Sequence, residues 1–109
     1  MSWFSKILGA AEVPRTPLPA NALVIDVRSP GEYASGHVQG ALNLPLERVA
    51  QDIERLAPDK SLPVLMYCLS GGRSGSACRV LQQLGYQQVI NGGAVGTVAL
   101  QLQRPIERL

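Results

Sequence analysis

The run Val64-Leu65-Met66-Tyr67 is apolar throughout and stops at Cys68, after which come Leu69-Ser70-Gly71-Gly72-Arg73 and a helical pattern opening at Ser74. A short apolar run without alternation is the pattern of a strand buried on both faces, as in parallel sheets covered by helices. Leu23-Val24-Ile25-Asp26-Val27 repeats the pattern, with one carboxylate near its C-terminal end. Parallel strands need crossovers between them, and the intervening segments have the length and periodicity of helices. These runs therefore point to an α/β fold built on a parallel sheet.

The segments between the runs agree. Ser29-Pro30-Gly31-Glu32 reads as an N-cap, a proline at the first helical position and an acid in the first turn, predicting a short helix to about Ser35 that Gly36 ends. Ala41 to Leu44 is a brief strand closed by Pro45. Leu46, Val49, Ile53 and Leu56 recur at helical spacing, predicting an amphipathic helix stopped at Pro58. Ala77, Cys78, Leu81 and Leu84 mark one face of a helix that ends at Gly85. Val89-Ile90 reads as a strand, Asn91-Gly92-Gly93 as a turn, and Val95 to Leu102 as a last helix before Pro105. At the other end, residues 3–11 fit a short helix with Trp3, Phe4, Ile7 and Leu8 on one side, packed on the domain or serving as a surface anchor. Pro14, Pro17 and Pro19 make an extended connector. The division expected is residues 1–20 as helix and connector and residues 21–109 as the domain.

With 109 residues the chain has room for one core. A net charge of +2 with no clustered Lys or Arg gives no basis for nucleic-acid binding. Two cysteines with no ligand-type residue between them make neither a disulfide framework nor a metal site. No run reaches the ~18–20 apolar residues of a membrane span. Lys6 interrupts the apolar start that a secretory signal would need. A cytoplasmic monomer without cofactor or metal is the expectation.

The loop after Cys68 carries the chemistry. A catalytic cysteine works as thiolate, and a free thiol with pKa of about 8.5 is only a few per cent ionised at neutral pH. Convergent backbone N–H groups of a tight loop and the N-terminus of the following helix both favour the anion, the latter by up to ~2 kcal/mol when partly buried. Gly71 and Gly72 let the backbone turn inward, Ser70 and Ser74 offer hydroxyls with Ser74 as N-cap, and Arg73 adds a cation at the mouth. Cys68 is thus the candidate nucleophile, with Leu69, Ser70, Gly71, Gly72, Arg73 and Ser74 as the substrate cradle. Asp26 and Arg28, at the end of another strand, are candidates for a supporting rim on the carboxyl side of the sheet, where ligands bind in such folds.

Four motifs in order resemble those of single-domain rhodaneses, the thiosulfate sulfurtransferases, of the short phage-shock-protein-E type. They are Ile25-Asp26-Val27-Arg28-Ser29-Pro30-Gly31-Glu32-Tyr33, Gly36-His37-Val38-Gln39-Gly40-Ala41-Leu42-Asn43-Leu44-Pro45, Tyr67-Cys68 through Ser74, and Leu84-Gly85-Tyr86 with Val89 and Gly92-Gly93. The resemblance implies a rhodanese-like fold with a central, mostly parallel five-stranded sheet and helices on both faces. It also implies a ping-pong reaction in which Cys68 takes the outer sulfur of thiosulfate as a persulfide and passes it to a thiol or cyanide, or to a sulfur-relay protein. Thr97 stands where the family often has a tryptophan. A carrier module loaded by a partner would use the same loop. A cysteine phosphatase or arsenate reductase is disfavoured, because its loop is Cys-x5-Arg and Cys68 to Arg73 is one residue shorter. Cys78 reads as core, His37 as structural, and Arg28 and Glu32 as partners of each other.

Overall fold

A computed structural model describes residues 18–109, so the helix expected over residues 3–11 and most of the proline connector lie outside the described residues. The elements are β1 (Leu23–Asp26), α1 (Pro30–Ser35), β2 (His37–Val38), β3 (Leu42–Asn43), a 3-10 turn (Leu46–Arg48) running into α2 (Val49–Leu56), β4 (Val64–Cys68), α3 (Gly72–Gln83), β5 (Val89–Ala94), α4 (Val95–Leu102) and β6 (Ile106–Glu107). The main sheet runs β3-β1-β4-β5 with every pairing parallel. Among the described residues it has four strands, not the five expected. The remaining two, β2 and β6, form a separate antiparallel pair. β2 follows α1 with no crossover to carry it beside a strand of the main sheet, so it takes the strand after α4 as partner.

The apolar runs lie in the middle of the sheet and fill a core on each side. Ile25, Met66 and Cys68 face Val49 and Ile53 of α2 and Ala77, Cys78 and Leu81 of α3. Val24, Leu65 and Tyr67 face Val98 and Ala99 of α4 and Val38 of β2. Consecutive strand residues thus serve opposite cores, which is why neither run alternates with polar residues. No helix among the described residues is long and apolar enough to cross a membrane.

Two boundaries differ from expectation. α3 begins at Gly72 with Gly71 as its N-cap, so Ser74 lies inside the first turn and is not the cap. The left-handed φ of 98° at Gly71 turns the chain three residues earlier than a cap at Ser74 would. Asn91-Gly92-Gly93 is likewise no turn: it continues β5 through a bulge, with Met66 paired to Asn91 and Tyr67 to Gly93. Gly92 is the extra residue. A Cβ there would come within 2.6 Å of Val98 Cγ2 and 2.9 Å of Leu65 Cδ2, so glycine is needed for α4 to pack closely.

Candidate active site

Cys68 ends β4 and is 1% exposed. The backbone then reverses through Leu69 and Ser70 to Gly71, whose N–H donates to Cys68 Sγ at 2.9 Å. Ser74, in the first turn of α3, brings its hydroxyl oxygen to 3.5 Å from the same sulfur. Burial pushes the Cys68 thiol up, but the Ser74 hydroxyl and the backbone N–H groups of Ser74, Ser70 and Gly71 outweigh it, and the thiol lies below its ordinary pKa. The loop and the helix start together favour the anion, as the glycines and small residues predicted.

Asp26 and Arg28 reach the same carboxyl edge but are closed in on each other. Arg28 Nη2 donates to Asp26 Oδ2 at 2.7 Å and to the Gly36 carbonyl at 2.6 Å, while its backbone N–H meets Asp26 Oδ1 at 2.9 Å. Asp26 is wholly buried and Arg28 is 5% exposed, so the pair braces the rim from beneath. Asn43 completes this bracing, its Nδ2 donating to the carbonyls of Asp26 at 3.0 Å and Arg28 at 2.9 Å.

The expected Arg28–Glu32 pair is not made. Asp26, nearer on the same strand end, satisfies Arg28, and Glu32 turns to the loop instead. Its carboxylate closes a capping box with Ser29 and accepts two bonds from Arg73, Nη1 to Oε1 at 2.7 Å and Nη2 to Oε2 at 3.0 Å. Arg73 and the Ser29 contacts hold the Glu32 carboxyl down at about 2. The charge of Arg73 is therefore largely offset by Glu32. His37 is buried in β2, with Nδ1 donating to the Tyr33 carbonyl at 2.8 Å and its ring stacked on Tyr33. Cys78 lies in the α2–α3 core, where burial pushes its thiol up to about 11. Among the described residues no group of His, Cys, Asp or Glu could hold a metal ion.

The sequence reading missed Asn91. Its side chain leaves β5 on the Met66 side and meets the loop: Nδ2 donates to the Gly71 carbonyl at 3.2 Å, and Oδ1 accepts from the Ser74 hydroxyl at 2.7 Å. Read as part of a turn, it gave no signal of this contact.

A strand-end cysteine in a glycine loop, the buried Asp-Val-Arg brace and the sheet order match a known pattern. The sequence model for the rhodanese-like domain matches residues 3–98. The chain belongs to the rhodanese-like domain family. It is 40% identical over 94 residues to the thiosulfate sulfurtransferase PspE of Escherichia coli K12, covering 86% of this chain and 90% of that one. It is 38% identical over 77 residues to a sulfurtransferase of Allochromatium vinosum, covering 69% of this chain and 70% of that one. A solved rhodanese with anions from E. coli superposes with a TM-score of 0.74 at 39% identity, over 81% of this chain and 99% of that one. In this rhodanese-like domain the loop is Cys68-Leu69-Ser70-Gly71-Gly72-Arg73, and Leu69, 60% exposed, is its most open apolar side chain.

Proposed function

We propose that this rhodanese-like domain is a thiosulfate sulfurtransferase with Cys68 as the sulfur carrier. The observation that carries the reading is the thiol itself, closed in at a strand end and lowered by three backbone N–H groups and one hydroxyl. Its thiolate attacks the outer sulfur of thiosulfate, the sulfur–sulfur bond breaks, and sulfite leaves with the bonding pair. The new Cys68 persulfide keeps its negative charge near the N–H groups that held the thiolate. An acceptor thiolate or cyanide then attacks the outer sulfur, and Cys68 leaves again as thiolate. No general base is required, because each attacking group is already an anion. The loop amides of Leu69 to Ser74 are the cradle for the substrate anion, and the Asp26–Arg28 brace fixes the edge on which it stands.

The pairing of Arg73 with Glu32 also argues against phosphate chemistry, which would need that guanidinium free for the phosphoryl oxygens. A sulfur-relay protein as acceptor is favoured by one observation, the exposed Leu69 beside the thiol. Mass spectrometry after thiosulfate treatment tests the main reading. Wild-type protein should gain one sulfur atom and release sulfite, and Cys68→Ser should do neither. Absence of the adduct on wild type would overturn the thiosulfate reading; an adduct formed only with a partner protein would favour the carrier.

A further inference from the structure

The Ser74 hydroxyl has one proton to give and three acceptors within reach. Asn91 Oδ1 lies at 2.7 Å, the Gly71 carbonyl at 3.2 Å and Cys68 Sγ at 3.5 Å. The Asn91 amide is locked in one orientation. The Gly93 N–H donates to Oδ1 at 3.1 Å while Nδ2 donates to the Gly71 carbonyl at 3.2 Å. Turning the amide over would set N–H against N–H and oxygen against oxygen. Oδ1 therefore faces Ser74 and takes its proton, leaving a Ser74 lone pair toward the sulfur. That arrangement accepts from a thiol S–H, and the hydroxyl favours the thiolate only once it has turned. To stabilise the thiolate, the hydroxyl must turn to Sγ and release the shorter Asn91 contact.

We infer that Asn91 is a positioning residue, which holds the Ser74 hydroxyl in its thiol-favouring orientation and so sets how readily Cys68 ionises and how well it leaves. This rests on Cys68 being the reacting thiol of the proposed function. Other charges about the sulfur are accounted for. Asp26 and Arg28 from the β1 end are paired with each other, as are Glu32 of α1 and Arg73 of α3. Arg48 before α2 is paired with Asp52. Tyr67 faces the opposite core, Cys78 shares the core of Cys68, and β5 (Val89-Ile90-Asn91-Gly92-Gly93-Ala94) carries no ionisable side chain.

The test is ultraviolet titration of the thiolate in a Cys78→Ala background, which leaves a single thiol. Asn91→Ala removes the stronger competitor for the hydroxyl, and the Cys68 pKa should fall by about half a unit to one unit, the worth of one net hydrogen bond. In a Ser74→Ala background the same substitution should leave the pKa unchanged, since no hydroxyl remains to redirect. Asn91→Asp keeps an acceptor toward Ser74 and Gly93, adds a charge, and should raise the pKa. An unshifted pKa with Ser74 present, or equal shifts with and without it, would overturn the inference. If Asn91→Ala does not fold, an Asn91→Asp pKa at or below wild type overturns it. The titration does not depend on thiosulfate turnover, so failure of the proposed function would register separately.

Discussion

Cys68 and Cys78 belong to one apolar core, yet their thiols are displaced in opposite directions. Both are penalised by burial. Cys68 recovers the loss because the loop aims donors at it, whereas Cys78, on the second turn of α3 with its backbone already committed to the helix, meets only the side field of Arg79. The sign of the consequence differs too. For Cys78 the folded state holds the proton more tightly than the unfolded chain, whose thiols titrate near ~8.5. Its contribution to stability is therefore complete below that value and lost as pH rises toward about 11. Cys78→Ala should cost ~1 kcal/mol or more at neutral pH through lost packing. It should then lose less stability than wild type between about pH 8.5 and about pH 11, measured by urea unfolding. Parallel losses in the two proteins would show that the thiol ionises freely in the fold.

Where two elements meet at the mouth, the Glu32–Arg73 pair ties the first turn of α1 to the first turn of α3. Both side chains are about a third exposed, so water and salt screen the pair, and it is worth little as a contribution to stability. Its larger effect is on charge: it offsets the Arg73 cation and sets a carboxylate beside the loop proposed to hold the substrate anion. Glu32→Gln should therefore raise kcat/KM for thiosulfate about threefold to tenfold at low salt, equivalent to one screened charge interaction of ~1 kcal/mol, with the gain shrinking as salt is added. A loss of activity at all salt concentrations would mean that the pair matters for holding the loop in shape. The same variant should lack the acid-side effect of Glu32, whose depressed pKa supports the fold above ~4.3 and ceases to do so as pH falls toward about 2.

Across the whole molecule, what the sequence made legible was whatever is written locally. β1, β4 and the helices declare themselves through apolar runs and helical spacing, and Cys68 through the glycines that follow it. The pairings that complete the site and the fold were not legible, because each joins residues far apart in the chain: Glu32 with Arg73 and Ser74 with Asn91 at the site, Val38 with Ile106 between β2 and β6. Asn91-Gly92-Gly93 shows why composition alone misled. A turn and a close-packed bulge ask for the same small residues, and only the approach of Val98 and Leu65 distinguishes them. The strand after Pro105 was invisible for a related reason, since Ile106 and Glu107 pair with β2 while remaining exposed.

That strand also sets a limit on how much the chain end contributes. The Pro105 carbonyl accepts from Gln39 N–H at 3.0 Å, and Leu109 N–H donates to the Ala34 carbonyl at 3.0 Å. Such bonds are worth ~0.5–1.5 kcal/mol each net, while each backbone residue released from order regains ~1–2 kcal/mol of entropy. The two nearly cancel. Deleting residues 105–109 should therefore lower stability by no more than ~2 kcal/mol and leave the Cys68 loop and thiosulfate turnover intact. Hydrogen exchange would separate the local effect from a global one. Gln39 N–H, which loses its acceptor, should exchange quickly, whereas Val38 N–H should stay protected because Tyr67 Oη accepts from it at 3.0 Å within the core. Loss of protection at both amides would show instead that β6 holds β2 against the sheet.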